Sequence, residues 1–365
     1  MLPALPEIAG ELTPDTPNRA QLIITSFVLG MGLGTLVTGP LSDAFGRKPV
    51  IIGGAVLYCV AAALAWAAQS LELVLAARVL QGIGAAGPRV VALAIIRDLY
   101  EGRHMAQLMS FVMMVFTLVP AMAPALGHVI IAGFGWRAIF ASFILFSVVS
   151  ALWLAFRQPE TLPTEKRRPF QARVLRAGIV EVVTHKQVML VILALCFTFG
   201  ALFGVLSSTQ PIFDKTFGEG DRFHWWFMLI ALIAATGSLL NARIVLILGM
   251  RRVAGYAYLA QCGLSAVMVI VSLSAPWDAP WAFAIYVGWT ASVFFIVGLT
   301  IGNLNALAMV PMGHIAGMAA SIIGSLATVL GVAIAVPLGQ AFDGTPLPNA
   351  LGVLLCCVAS YVIVR

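Results

Sequence analysis

The chain has 365 residues, of which 61% are hydrophobic and only 10% are charged. An ordinary soluble domain is about 45–50% apolar and about 25% charged. This composition excludes a water-soluble enzyme, a nucleic-acid-binding protein and a disordered chain. The net charge of +6 comes from 21 Lys and Arg against 15 Asp and Glu. In a membrane protein, the positions of the basic residues are more informative than their sum.

Long apolar stretches predict the secondary structure. A membrane-crossing helix needs about 20 mostly apolar residues, and eleven stretches of the sequence reach roughly that length. They are residues 21–41, 49–68, 71–96, 105–132, 136–156, 187–209, 225–248, 253–274, 281–308, 316–338 and 347–364. Their length and continuity favour helices over the short alternating strands of an outer-membrane barrel. The sequence therefore predicts an all-α membrane protein.

The basic residues outside the apolar stretches predict the orientation, because Lys and Arg favour cytoplasmic loops. If the loop at 42–48 is cytoplasmic, 15 basic residues lie inside and 4 lie outside. The start of the chain is then predicted to be outside and its end, Arg365, to be cytoplasmic. Residues 1–20 carry three acids and one basic residue, so we expect no cleavable signal peptide.

The longest loop, residues 157–186, divides the predicted spans into five and six. Its first half is basic and rich in proline, and its second half has a weak amphipathic pattern, which is typical of a connector at the membrane surface. The sequence therefore predicts an N-terminal helical bundle over 1–156, a cytoplasmic linker over 157–186 and a C-terminal six-helix bundle over 187–365.

The first predicted loop, residues 39–48, reads GPLSDAFGRK. Gly39 permits close helix approach, Gly46 permits a turn with positive φ, and Asp43 lies at a helix end where it can pair with an arginine. The pattern resembles the signature between the second and third helices of the major facilitator superfamily. The resemblance implies a transporter fold of two helical bundles and a loop that acts as a conformational latch. The implied latch residues are Gly39, Asp43, Gly46, Arg47 and Lys48. The alternative is a plain turn with basic residues on the cytoplasmic side.

The span at 71–96 contains Arg78 and Arg89. A charged side chain at membrane depth is costly unless it faces a cavity or a partner, so Arg78 is predicted to be functional. Arg89 follows about three helical turns later, and both side chains should project from nearly the same face. The pattern of Arg78, Gln81 and Gly82 resembles the fourth-helix motif of proton-coupled members of the superfamily. That resemblance implies a role in proton transfer or substrate charge. Snorkelling of either arginine to the membrane surface is the alternative.

The next span contains Pro120, Pro124 and Gly127. Two prolines remove backbone donors and bend a helix, and the small residues around them let neighbouring helices pack closely. The pattern resembles the fifth-helix signature of antiporters, which favours export. A generic proline kink is the alternative. His128 follows Gly127 and is predicted to be a satisfied polar residue near the outer rim rather than a proton relay.

The second half of the chain carries weaker signals. Arg243 and residues 249–252 occupy the place of a second, degenerate copy of the first-loop motif, as in an internally duplicated transporter. Asn303 and Asn305 lie deep in one predicted span, and Gln210 ends another. Polar groups in hydrocarbon need partners or water. These three residues are candidate substrate contacts, and interhelical hydrogen bonding is an equally good alternative.

Further segments resemble the bicyclomycin-resistance-like (Bcr/CflA) drug-efflux branch of the superfamily. They are residues 1–8, 87–89, 97–100 and 135–137. Residues 1–8 look like the tail of the first spanning helix of that branch. The resemblance therefore implies twelve helices, with eleven visible and most of the first one absent. Either the true start codon lies upstream or this is a truncated, inactive product. None of the 15 acids falls at mid-membrane, whereas the related family keeps a carboxylate on its first helix.

Together, the residues and the resemblance predict a proton-coupled antiporter that exports drugs or other small hydrophobic or cationic compounds across the bacterial inner membrane. The alternatives are a metabolite transporter of the same superfamily, an inactive truncated member and a non-transporting membrane sensor. We expect no enzymatic activity, no metal, no cofactor beyond the proton gradient and no nucleic-acid partner. The expected partners are a small-molecule substrate and the lipid bilayer, and the protein is expected to be a monomer.

Overall fold

The computed structural model describes residues 1–100, 102–274, 277 and 279–365. Within these residues the chain consists of helices and the turns between them, without a β-strand. The predicted all-α class is therefore confirmed. The α-helices are α1 (Leu5–Leu12), α2 (Leu22–Phe45), α3 (Arg47–Ala67), α4 (Leu71–Leu99), α5 (Gly102–Phe134), α6 (Ala138–Arg157), α7 (Ala172–Thr184), α8 (Lys186–Pro211), α9 (Phe223–Leu248), α10 (Met250–Ser274), α11 (Pro280–Met309), α12 (Ala316–Gln340) and α13 (Leu347–Val364).

All eleven predicted spans coincide with long helices, namely α2 to α6 and α8 to α13. Nine helical segments of the described chain are long and apolar enough to cross a membrane, and one of them, Trp281–Gln340, contains both α11 and α12. α5, with 33 residues, completes the set. α1 and α7 have only 8 and 13 residues, which is too short to cross the hydrocarbon core.

Single glycines join two pairs of long helices. Gly46 (φ 103°) lies between α2 and α3, and Gly249 (φ 80°) lies between α9 and α10. Glycine adopts positive φ without a steric penalty, so it allows the chain to reverse direction here in one residue. The same device in both halves of the chain agrees with the duplicated architecture that the sequence predicts.

Buried apolar side chains form two separate cores. Residues between Ala4 and Phe140 build one core, and residues between Val182 and Val364 build the other. The two-bundle architecture is therefore confirmed, whereas the linker boundaries at 157 and 186 stay a prediction. Within that linker, α7 packs against α12, and Glu181 of α7 pairs with His314 at 2.6 Å.

The two bundles meet mainly along α2 and α12, and also along α5 and α9. We use the name Arg47 face for the end of the molecule where α2 ends and α3 begins, and opposite face for the other end. Gly39 of α2 meets Ser321 of α12 near the Arg47 face, and Gln21, directly before α2, meets Gly339 of α12 near the opposite face. The contact between the halves therefore extends over most of the length of these helices.

Candidate functional site

Arg47 is the first residue of α3, and its guanidinium joins the ends of three helices. Its Nε donates to Oδ2 of Asp98 at 3.0 Å near the end of α4. Its Nη1 donates to Oγ of Ser42 at 2.8 Å and to the carboxylate of Asp43 near the end of α2. The Arg47 side chain is only 11% exposed, so water weakens these charge-assisted bonds little. Arg47 thereby holds the ends of α2 and α4 against the start of α3.

Glu160, in the connector after α6, caps the start of α3. Its carboxylate accepts hydrogen bonds from the backbone N–H groups of Arg47 (2.9 Å), Lys48 (3.0 Å) and Leu162 (2.9 Å). Partial burial alone would raise the pKa of Glu160, but these backbone donors together hold that pKa below its ordinary value. At pH values above the ordinary pKa of a glutamate, the cap therefore stabilises the fold. This contribution is lost as the pH falls through the lowered pKa. The positive end of the α3 dipole favours the same carboxylate.

The five predicted latch residues do lie together at the Arg47 face. Among the described residues, the polar contacts of the charged members stay within the first bundle and its connector: Lys48 Nζ donates to the carbonyl of Ala155 at 2.7 Å, for example. Gly39 alone faces the other bundle, because a Cβ at this position would lie 3.2 Å from Oγ of Ser321 on α12. The latch role itself stays a prediction. Sequence reasoning missed Asp98 and Glu160 as partners of Arg47.

Gly46→Ala is expected to lower the melting temperature of the protein in detergent. Gly46 has φ 103° and ψ 161°, a conformation that costs other residues about 1–3 kcal/mol. A Cβ there would also lie 2.6 Å from Oε2 of Glu160. The matched control is Gly53→Ala in α3, where a Cβ would meet nothing within 4 Å and alanine favours the helix by about 1 kcal/mol. Equal melting temperatures of the two variants would contradict this assignment.

Arg78 lies two turns into α4 and is 5% exposed. Its Nε donates to the carbonyl of Ile23 at 3.1 Å, and its Nη1 donates to Oε1 of Gln81. The guanidinium also lies over the ring of Phe27, 4.3 Å from the centroid. This burial excludes snorkelling to the surface. In the described part of the chain no carboxylate lies within ion-pair distance of Arg78, so dipoles and a ring face are what stabilise its charge.

The neighbours of Arg78 on α4 have different environments. A Cβ at Gly82 would overlap the main chain of Phe27 on α2, so Gly82 is required for the close crossing of α2 and α4. Arg89 also reaches α2, where its Nη1 lies 3.4 Å from Sδ of Met31, but Arg89 is exposed. Gln81 is fully buried, and its Nε2 has no hydrogen-bond partner among the described residues. Gln81 therefore has an unused donor beside the buried guanidinium.

The structure does not bring the three predicted substrate contacts together. Gln210 lies near the opposite face and is 4% exposed, and its Oε1 accepts no hydrogen bond from the described part of the chain. Asn303 lies nearer the Arg47 face, where its Nδ2 donates to Oδ1 of Asn241 on α9 at 2.7 Å. Asn305 donates to the carbonyl of Ile301 in its own helix at 2.9 Å. Asn303 thus makes the interhelical hydrogen bond of the alternative interpretation, and Gln210 keeps a free acceptor.

α5 continues as one helix through both predicted proline positions. The side chain of Pro120 lies outside the described residues, whereas Pro124 and Gly127 are buried. A Cβ at Gly127 would lie 3.8 Å from Pro3, which is an ordinary contact distance. Close packing therefore does not by itself require glycine at position 127.

Comparison with known proteins places this helical architecture in a family. The model of the Major Facilitator Superfamily matches residues 1–336. The chain is 31% identical to a bicyclomycin resistance protein homolog of Haemophilus influenzae over 98% of this chain and 89% of that protein. Two partial matches each cover 44% of this chain at 38% identity. They are the multidrug resistance protein MdtL of Citrobacter koseri, over 41% of its length, and a chloramphenicol resistance protein of Pseudomonas aeruginosa, over 38% of its length.

Solved structures agree on the fold. A partially occluded inward-open form of the xylose transporter XylE from E. coli superposes with a TM-score of 0.74 at 14% identity, over 98% of this chain and 91% of that chain. A D-xylose–proton symporter gives a TM-score of 0.76 at 15% identity, over 100% of this chain and 93% of that chain. At such low identity these likenesses concern the fold alone. Together with the family match over most of the sequence, they lead to one conclusion: the chain belongs to the major facilitator superfamily of membrane transporters and is not an enzyme.

Proposed function

We propose that the protein exports drugs or other small hydrophobic or cationic compounds, driven by protons that move the opposite way. The observation that carries the export direction is the similarity, over nearly the whole chain, to a bicyclomycin resistance protein homolog. The partial matches to multidrug and chloramphenicol resistance proteins support the same substrate class. The small-molecule substrate would bind between the two bundles, as alternating access requires.

Arg78 is the residue to which we assign the coupling. A guanidinium keeps its own proton in a protein, so its role is electrostatic rather than proton transfer. In a site of low dielectric constant it disfavours a further positive charge nearby. A bound proton and a cationic drug would also repel each other directly, so with Arg78 lowering the affinity for both, the two would not be held at once, which is the condition for exchange. The free Nε2 of Gln81 is available to a polar group of the substrate or to water.

The Arg47 cluster (Ser42, Asp43, Arg47, Asp98 and Glu160) is assigned to control of one conformation. It makes the ends of α2, α3 and α4 a single rigid unit. That unit meets α12 through Gly39. A rigid contact of this kind favours whichever state keeps the two bundles together at the Arg47 face.

We infer a bacterial inner-membrane location with the Arg47 face in the cytoplasm. The inference is supported by the bacterial relatives and by the positive-inside distribution of 15 basic residues against 4. Alkaline phosphatase joined after Arg365 should stay inactive, because the enzyme requires the oxidising exterior to fold. An active fusion would reverse the orientation.

The proposed function is tested in a bacterium that lacks its own efflux pumps. Expression of the chain should raise the bicyclomycin and chloramphenicol concentrations that stop growth. Everted membrane vesicles should accumulate the same drugs when a proton gradient is imposed, and a protonophore should stop the accumulation. Vesicles without the protein are the control. If vesicles that contain the protein accumulate neither drug, the export proposal fails. Accumulation that survives the protonophore would disprove only the proton coupling.

A further inference from the structure

Two histidines join the bundles at the opposite face. His128 lies on α5 in the first bundle, and His224 is the second residue of α9 in the second bundle. Their ring centroids are 4.4 Å apart and the ring planes differ by 14°, so the imidazoles are stacked. Both side chains are half-buried. Neither histidine belongs to the Arg47 cluster or to the hydrogen-bond partners of Arg78.

The surroundings of the pair offer little to neutralise added charge. Before α9, Arg222 pairs with Glu219 at 3.8 Å, and Asp221 presents its main-chain carbonyl to the His224 imidazole.

On the side of α5, the helical turn Leu2–Ala4 supplies apolar contacts, with Pro3 lying nearest to Gly127. On the adjoining α1, the carboxylate of Glu11 is occupied by Arg137 and Trp136, and Glu7 is exposed. Within the described residues neither imidazole forms an ion pair with a carboxylate.

Among the described residues, the other polar contacts between the bundles at this face are neutral. Nδ2 of Asn18 donates to the carbonyl of Phe342 at 2.7 Å, and Nε2 of Gln340 donates to the carbonyl of Asn18 at 2.7 Å. Oγ of Ser208 donates to Oε1 of Gln21 at 3.1 Å. Amides and hydroxyls do not change charge between pH 5 and 8, whereas imidazoles do. The two imidazoles are therefore the proton-accepting side chains among these contacts.

We propose that His128 and His224 form a proton-binding site that helps to close the opposite face when the pair is neutral and opens it when both rings are protonated. Neutral rings stack favourably, but two imidazolium groups at this separation repel each other. No described carboxylate lies within ion-pair distance of either ring, and movement of α5 away from α9 relieves the repulsion. The inference rests on the alternating access of the proposed function. If this face is the outer one, protons outside the cell would favour the state that opens towards them.

The test measures the distance between the bundles directly. Spin labels are attached at Phe134→Cys, at the end of α5, and at Trp281→Cys, at the start of α11; these positions are 83% and 50% exposed. Electron–electron resonance in lipid nanodiscs should give one distance at about pH 8 and a second, longer one at about pH 5. The same chain without introduced cysteines, labelled in parallel, reports any signal from the five native cysteines.

Variants of the pair decide the outcome. His128→Phe keeps an aromatic ring against His224 and cannot be protonated, so it should keep the short distance at both pH values. The double variant His128→Gln and His224→Gln should likewise lose the pH-dependent shift. His314→Gln, at the Arg47 face, is the matched control and should keep the shift.

A shift that survives in His128→Phe, or no shift in the labelled parent, would overturn the proposal. The measurement needs neither drug nor proton gradient. Failure of the histidine switch is therefore distinguishable from failure of drug export.

Discussion

Arg78→Ala is expected to reduce drug accumulation in everted vesicles to the level of vesicles without the protein, while the protein still inserts into the membrane. The substitution removes the one buried guanidinium that the described part of the first bundle encloses without a carboxylate. Loss of its hydrogen bonds to Ile23 and Gln81 costs about 1–3 kcal/mol. Removal of a charge from low dielectric offsets part of that cost. We therefore expect the variant to fold and insert into the membrane but to lose the coupling between proton and drug movement.

Two variants separate charge from geometry at this position. Arg78→Lys keeps the positive charge but lacks the planar fork whose separate nitrogens bond to Ile23 and Gln81, so we expect partial accumulation. Arg19→Ala is the matched control, because Arg19 lies at the surface, where its side chain is 46% exposed and pairs with Glu72 at 3.0 Å. Exposed pairs of this kind contribute little, so transport should be unchanged. Undiminished accumulation by Arg78→Ala would remove Arg78 from the mechanism.

Arg47→Ala is expected to lower both drug accumulation, by about tenfold, and the melting temperature in detergent. A tenfold effect corresponds to about 1.4 kcal/mol, the order expected when a shielded arginine leaves two carboxylates without their partner. Those carboxylates, on Asp43 and Asp98, would repel each other where they now share one guanidinium. The ends of α2 and α4 would separate, and the contact of α2 with α12 at Gly39 would weaken.

The matched control for Arg47 is Arg97→Ala. Arg97 is exposed and adjoins Asp98 on α4, so its removal changes the net charge of the same face without breaking the cluster. We expect Arg97→Ala to resemble the parent chain in both transport and melting temperature. Equal losses in the two variants would mean that the basic charge of the face matters and that the geometry around Arg47 does not.

The helices were predictable because each one is determined locally. In hydrocarbon, the backbone must satisfy its own hydrogen bonds, so about 20 consecutive apolar residues form a helix almost regardless of their neighbours. The turn at Gly46 was predictable for the same kind of reason, because positive φ at a one-residue turn selects glycine. The first-loop pattern around Gly46 indicated the family, and the match over residues 1–336 confirms it.

The partners of the polar residues were not predictable. Arg47 is bound by Asp98 and Glu160, which are 51 and 113 residues away along the chain. For Asn303, sequence reasoning left substrate contact and interhelical bonding open, and the interhelical bond that forms depends on Asn241, 62 residues away on α9. Helical periodicity tells which residues share a face of one helix, but it does not tell which helix that face meets.

His128 illustrates the difference most clearly. The sequence places it correctly near the end of a spanning helix and says nothing of His224, which belongs to the other bundle. By itself, the sequence determined the membrane class, the eleven long apolar helices, the two unequal groups of spans and the family, because apolar length and turn chemistry act within short segments. The tertiary structure decided which buried polar groups pair, since helices from distant parts of the chain must first pack side by side before their side chains can meet.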